Sequence, residues 1–159
     1  MKNILILLAS SALFFACSTT SSVELIGNNN QGQSYKLTDI KVENKTGEVF
    51  EDNIEEMMKT ALQNELKVFA GSNTQSENSL EILITQYSKG NAFGRWLAPG
   101  VAKTILTVEA SVKDDSGEIV MQSQVTRSVG AGGGFTIGAW KKVFEDVALQ
   151  LVKDMSLVK

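Results

Sequence analysis

The side chains that could do covalent or acid–base chemistry are few in this 159-residue chain. It contains one cysteine, Cys17, and no histidine, which excludes nucleophile–histidine catalysis and the histidine-containing or cysteine-rich zinc sites. The carboxylate pairs Glu55–Glu56 and Asp114–Asp115 are each adjacent in sequence, and adjacent helix residues do not point at a common centre. We interpret both pairs as solvated surface charge. The sequence therefore predicts a protein that is not an enzyme and that has no catalytic residue, metal or cofactor.

Cys17 follows an N-terminal segment that has the composition of an export signal. Residues 1–16 carry one basic residue, Lys2, and then run almost entirely apolar, but the run is short for a bilayer span of roughly 20 residues. The segment Leu13–Cys17 resembles the lipobox of bacterial lipoproteins, in which small residues precede a cysteine that receives diacylglycerol. Ala16 fits that pattern, whereas the two phenylalanines before it are bulkier. The resemblance implies cleavage before Cys17 and lipidation of its thiol, palmitate included; the alternative is an unmodified cysteine in an ordinary signal peptide.

The residues after Cys17 bear on where the protein is anchored. Ser18 stands where an aspartate would resemble an inner-membrane retention signal, so we expect the outer membrane, facing the periplasm. Two or three acyl chains anchor a protein firmly, because each buried methylene contributes about 0.8 kcal/mol. Residues 18–34 are rich in Ser, Thr, Asn, Gln and Gly, so the composition predicts a lipidated cysteine and flexible tether over 17–34. The net charge of −3 gives no support to nucleic-acid binding.

The remaining residues, 35–159, predict a single α+β domain. Apolar residues at spacings of three and four predict helices over 49–69 and from Trp140 to Met155. Alternating patterns predict four strands, over 35–43, 80–85, 106–113 and 119–129. The alternation in the first strand slips between Leu37 and Ile40, which indicates a bulge or an edge position. The order β-α-β-β-β-α predicts a two-layer sandwich in which two helices cover one face of a mostly antiparallel four-stranded sheet.

Two further patterns concern which residues face the core and which face water. Met57 and Met58 could be soft metal ligands, but without a cysteine or histidine beside them we expect core packing. The last two strands form a hairpin with one polar face. We expect that face to look at solvent; it carries Thr107, Glu109, Gln122, Gln124 and Thr126.

Two glycine-containing loops stand apart from these elements. The first holds Phe93, Arg95, Trp96 and Leu97, and aromatic residues with arginine are typical of a binding surface. The same aromatic residues could instead pack back onto the edge of the sheet. The second loop, 130–134, precedes the last helix but lacks the spacing of the known phosphate-binding loops, so a flexible connector is the simpler interpretation.

The order of these pieces resembles a known family. Phe93-Gly94-Arg95-Trp96, the strand over 100–112, the turn Asp115-Ser116-Gly117 and the glycine loop before a terminal helix are similar to a bacterial lipoprotein domain of unknown function, number 4410. The resemblance covers roughly residues 35–156. It implies a small envelope lipoprotein and supplies no catalytic residue.

Two non-enzymatic functions remain after these exclusions. In the first, the domain is a lipid-tethered interaction module that docks on an envelope protein or complex through the loop from Phe93 to Leu97. In the second, it binds a lipid or glycan between sheet and helices. The first predicts an exposed Trp96 and a filled core, and the second predicts an apolar cavity around Met57, Met58 and Trp140.

Overall fold

A computed structural model describes residues 18–24, 35–68, 77–91, 94, 102–129 and 139–158. Two helices and six strands form a two-layer α+β architecture. The predicted order β-α-β-β-β-α is confirmed, and the described residues add one strand before it and a two-residue strand after it. The elements are β1 (Ser18–Glu24), β2 (Tyr35–Asn44), α1 (Ile54–Val68), β3 (Glu77–Ser88), β4 (Thr104–Lys113), β5 (Ile119–Val129), α2 (Ala139–Asp154) and β6 (Leu157–Val158).

The strands form one mixed sheet in the order β1-β5-β4-β3-β2-β6. The pairs β3–β4, β4–β5 and β1–β5 are antiparallel, whereas β2 runs parallel to β3 and to β6. The parallel pairs follow from the helices: each helix carries the chain back along the sheet, so the next strand starts at the end where β2 started. The sheet is therefore mixed rather than purely antiparallel.

The predicted irregularity in β2 is confirmed. The pairing of β2 with β3 shifts register between Leu37 and Asp39. The residue between them, Thr38, donates its hydroxyl to the backbone oxygen of Asn78 (3.2 Å), and the Asn78 amide donates to the backbone oxygen of Lys36 (3.3 Å). These side-chain bonds compensate for the ladder bonds that a bulge interrupts.

Strand β1 falls in the segment for which the composition predicts a tether. Its seven residues pair along β5, from Ser18 opposite Ser128 to Glu24 opposite Gln122. Threonine is compatible with an extended backbone, and the outer edge of β5 offers the N–H and C=O groups to pair with. The order at Ser18–Glu24 therefore comes from long-range pairing, which composition does not report; residues 17 and 25–34 lie outside the described part of the chain.

Both helices pack on the same face of the sheet and against each other. Their apolar stripes meet alternate residues of the central strands, such as Ile82 of β3 and Val108 of β4, which have no exposed surface. Helix α1 begins at Ile54 rather than near residue 49, because the Asn53 side chain accepts the N–H of Glu56 (2.9 Å) as an N-cap. Phe69, the last residue of the predicted helix over 49–69, lies outside the described residues.

The other face of the sheet carries no helix in the described part of the chain. Four of the five residues predicted to face solvent keep partial or full exposure. The exception is Thr107, which is buried at 9% exposure. Its hydroxyl is satisfied there, because it donates to the Gln86 side chain (3.2 Å) and accepts from Thr126 (3.1 Å). We call this surface the open face.

Candidate docking surfaces

Both helices begin at the same end of the sheet, which we call the helix-start end. Strands β2, β3 and β5 finish at this end, and β1 and β4 begin there, as the registers of the pairs require. The connections that lead into both helices and the connection from β3 to β4 therefore share this end. The residues that mark it are Ser18, Asn44, Ile54, Ser88, Thr104, Val129 and Ala139.

The residues predicted to bind or to be lipidated lie next to this end along the chain. Cys17 directly precedes Ser18, the first residue of β1, and is itself outside the described residues. Phe93, Arg95, Trp96 and Leu97 also lie outside them, in the connection between β3 and β4, as does the glycine loop over 130–134. The described residues that flank these segments lie at the helix-start end.

The base of the β3–β4 connection is tightly closed. The N–H of Asn91 donates to the backbone oxygen of Ala102 (3.3 Å), and the Thr104 hydroxyl donates to that of Lys89 (2.8 Å). Gly90 has a φ of +64°, and a Cβ there would lie 2.5 Å from the Ala102 oxygen. Only glycine fits this close approach, since both the space and the left-handed backbone exclude a side chain.

An aromatic cluster fills the space beneath the helix-start end. The Tyr87 ring contacts Phe50 edge-on at 5.0 Å between centroids and Phe144 at 5.4 Å. Its hydroxyl is buried and has no hydrogen-bond partner among the described residues. Burial, with a smaller contribution from the Asp52 carboxylate, raises the pKa of Tyr87 to about 12. The phenol is therefore a neutral packing group rather than an acid or base.

A second cluster joins three elements above these rings. Lys89, just past β3, pairs with Asp52 of the β2–α1 connection at 2.6 Å. The same ammonium group lies 4.3 Å from the ring centre of Trp140 in the first turn of α2, and Lys141 lies at 5.2 Å. The contact of Lys89 with Trp140 links the start of α2 to the end of β3. The sequence does not reveal this cluster, because its members are far apart in the chain and each is an ordinary surface residue by itself.

An open cleft of about 430 Å³ lies between the first halves of α1 and α2. Met57, Ala61 and Phe144 contribute its apolar floor and Trp140 one wall. Asp52, Glu56 and Glu145 place carboxylates along it. The sequence predicts an apolar cavity around Met57, Met58 and Trp140 if the domain binds a ligand. The cleft is instead open and partly acidic, and Met58 is fully buried in the core and does not line it.

The structure places both carboxylate pairs at the surface of the domain. Glu56 is exposed and Glu55 partly so on α1. Asp114 accepts the Ser116 hydroxyl (2.6 Å) and the N–H groups of Ser116 and Glu118, which closes the β4–β5 turn. These bonds, the Ser116 hydroxyl first, lower the pKa of Asp114. No group of three or more acidic, cysteine or histidine side chains within the described ranges could hold a metal ion.

Comparison with known proteins gives a family match. The model of a domain of unknown function, DUF4410, matches residues 19–133, which is more than half of the chain. The chain belongs to the DUF4410 family. No curated protein matches it. Among the described residues, no helix is long and apolar enough to cross a membrane.

Solved structures share the fold of this DUF4410 protein. It is similar to the PelC dodecamer from Paraburkholderia phytofirmans (TM-score 0.56) and to a single-substitution variant of it (0.57). Each is 12% identical and covers 89% of this chain and 100% of the other. A candidate lipoprotein from Caulobacter crescentus is 16% identical over 74% of this chain and 84% of its own, and its TM-score of 0.38 does not establish a shared fold.

Proposed function

We propose that this DUF4410 protein is a lipid-anchored, non-enzymatic interaction module of the bacterial envelope. One observation carries the proposal: Ser18 begins an edge strand at the helix-start end, so Cys17 is one residue away from it. A lipid on Cys17 would hold this end of the domain close to the membrane. The outer membrane, with the domain in the periplasm, follows from Ser18 after the cysteine.

The same end carries the connection that we propose as the docking element. Asn91 and Ala102 close its base, and Lys89 beside this base contacts Trp140 in the first turn of α2. Phe93, Arg95, Trp96 and Leu97 would contact an envelope protein near the bilayer. The covered face of the sheet is filled by buried side chains, as this function requires. Self-association is one form of such docking, and the PelC protein that shares the fold is a dodecamer.

Metabolic labelling with an alkyne analogue of palmitate tests the anchor. We expect label on the wild-type protein and none on Cys17→Ala, which should also leave the membrane fraction. Label that persists in Cys17→Ala, or is absent from the wild type, would contradict lipidation at this residue.

Photo-crosslinking in cells, with Cys17 intact, tests the docking element. Probes at Trp96 and at Val49, which is fully exposed in the β2–α1 connection, report on the helix-start end. A probe at Ser116, in the turn at the opposite end, is the matched control. A discrete protein adduct from the first two probes and none from the third is the expected result. If none of the probes captures a protein, docking through this end is wrong.

A second candidate function, binding of a lipid or glycan, is favoured by the cleft between the helices. Its apolar floor and Trp140 wall suit an amphipathic ligand. A brominated fatty acid should quench Trp140 fluorescence in a Trp96→Phe background, because bromine quenches only at contact. Ala61→Leu, which narrows the cleft, should reduce the quenching. Equal quenching in both proteins would argue against this candidate.

A further inference from the structure

The sheet has an open edge along most of β2. Strand β6 pairs only with Tyr35 and Lys36 at the start of β2. Beyond the bulge, the six residues 39–44 have β3 on one side and no strand on the other among the described residues. An edge of this length is a template for pairing with another chain unless it is protected.

The backbone groups on this edge are directed outward in a regular row. The N–H of Lys45 points inward and donates to the Ile84 oxygen (2.8 Å). Because the lateral direction of the backbone groups alternates along a strand, those of Ile40, Val42 and Asn44 point away from β3. The charged side chains of the strand do not shield them: Lys41 reaches across the open face to Glu81 on β3 (3.4 Å).

Space for an added strand lies between this edge and α1. Two adjoining hollows of about 470 and 210 Å³ run along residues 37–42 of β2. Helix α1 forms their other wall through Lys59, Gln63 and other residues. A strand laid against β2 could place alternate side chains in these hollows, as in other cases of strand addition beside a helix.

The opposite edge of the same sheet provides a strand that fits. Strand β1 has seven residues, enough to cover the six-residue open segment of β2, and pairs on one side only within the described part of the chain. Strands β2, β3 and β5 run in one direction along the sheet, and β4 and β1 run in the other. If the sheet continues from one copy into the next, β1 of one copy is therefore antiparallel to β2 of its neighbour. Antiparallel pairing is slightly more stable per residue than parallel pairing.

We propose that this protein self-associates head to tail, with β1 of one copy adding antiparallel to residues 39–44 of β2 in the next. The proposal rests on the proposed function and names a second copy as its partner. Such an interface joins two different surfaces, so it repeats, and it gives a ring when the rotation between copies closes. Cyclic symmetry then holds every Ser18, and the lipid-bearing residue before it, at one level facing one membrane.

The faces of the sheet define a register, because directly opposed residues share one face. Lys41 lies on the open face, and Ser22, opposite Gln124 of β5, lies on that face too. With Thr19 of one copy opposite Asn44 of the next, Ser22 is opposite Lys41. The test is the full lipoprotein, expressed in cells with Cys17 intact, that carries both Ser22→Cys and Lys41→Cys. Mild oxidation should give a non-reducing ladder of dimers, trimers and larger species. A double variant that stays monomeric after oxidation contradicts the proposal.

The single variants distinguish this geometry from a symmetric dimer. Neither Ser22→Cys nor Lys41→Cys alone should form disulfide-linked species, because each residue lies opposite the other one in the neighbouring copy. Dimers from a single variant would show β1–β1 or β2–β2 pairing and would overturn the head-to-tail arrangement.

A proline on the edge gives an independent test. In the double-cysteine background, Val42→Pro removes an outward N–H while leaving the ladder to β3 intact, and proline is tolerated at such edge positions. We expect the yield of the ladder to fall roughly tenfold, since one lost hydrogen bond at an interface is worth about a factor of ten. Val42→Ala is the matched control, because it loses the same side chain but keeps the N–H. Equal yields from the two variants would contradict strand addition at β2.

These tests separate the two levels of the proposal. Palmitate label on Cys17 and a crosslink from Trp96 to another protein, without a disulfide ladder, would leave the interaction module in place and remove only self-association.

Discussion

The two faces of the sheet are built from the same strands but differ in what they contact. On the helix-covered face, residues such as Ile82, Ile84 and Val108 have no exposed surface. On the open face, Glu81 forms ion pairs with Lys113 (2.6 Å) and Lys41 (3.4 Å), and all three side chains keep contact with water. Neighbouring residues of one strand thus lie in environments that differ completely.

This difference separates stability from surface function. Burial of apolar area, which dominates folding free energy, is concentrated on the covered face. Exposed ion pairs contribute little because water and salt screen them. The open face and the sheet edges can therefore change without loss of the fold, whereas the covered face cannot. Four predictions test this division, from the largest expected effect to the smallest.

Ile82→Ala should cause the largest loss. It removes a fully buried side chain from the central strand β3 and leaves a cavity, so we expect the free energy of unfolding to fall by about 2–5 kcal/mol. Leu83→Ala, one residue along on the open face, is the matched control and should cost about 1 kcal/mol or less. Urea denaturation measures both. Equal losses would mean that the open face is covered in solution.

Tyr87→Phe, on the covered face, should change how the free energy of unfolding depends on alkaline pH. The pKa of Tyr87 is raised from 10.0 to about 12, so the unfolded chain loses this proton first as pH rises. The wild type is therefore expected to lose about 2–3 kcal/mol relative to the variant between pH 10 and 12. Near pH 7, removal of the buried hydroxyl should leave stability equal or slightly higher. If the difference in free energy of unfolding between the two proteins stayed constant up to pH 12, the raised pKa of the Tyr87 hydroxyl would be contradicted.

Asp146→Asn should have an intermediate effect, because its site lies at the border of the covered face. Asp146 of α2 pairs with Arg127 of β5 at 2.8 Å, and the two side chains are 19% and 14% exposed. We expect a loss of about 1–2 kcal/mol, between the values for exposed and fully buried pairs. Glu145→Gln, at the exposed neighbouring acid on the same helix, should change stability by less than about 0.5 kcal/mol. Equal urea midpoints for both variants would show that the pair does not couple α2 to the sheet.

Glu81→Gln should have the smallest effect, on the open face. The hydrogen bond from Lys113, followed by that from Lys41, lowers the pKa of Glu81 below its ordinary value of 4.5. A lowered pKa stabilises the folded state above the unfolded-state value and not at lower pH, where the carboxylate is protonated. The variant should thus lose about 1 kcal/mol or less at pH 7, and the difference should vanish on acidification. Glu109→Gln, on the same face without a lysine partner among the described residues, controls for the loss of a carboxylate. A difference that persists at pH 2 would exclude the ion pairs as its cause.

Much of the covered face could be predicted from the sequence, whereas the candidate docking surfaces could not. The stripe through Ile54, Met58 and Leu62 and the alternation of Leu80, Ile82 and Ile84 identify core residues, because side-chain direction repeats over a few residues. The bulge after Leu37 was visible as a slip in that repeat. By contrast, the contact of Lys89 with Asp52 and Trp140 joins positions 37 to 51 residues apart, and no local pattern reports it. The predicted site residues Phe93, Arg95, Trp96 and Leu97 lie outside the described residues and stay a prediction.

The sequence by itself determined the helices, the four central strands, the face that each one buries and the lack of histidine chemistry. It did so because helical and strand periodicities are local and the residue types are fixed. Only the tertiary structure decided that Ser18–Glu24 pairs with β5, that β6 covers just the start of β2, and that both helices begin at the end nearest Cys17. Strand neighbours and sheet edges arise from contacts between residues far apart in the chain, whose energy depends on the assembled sheet rather than on any short segment.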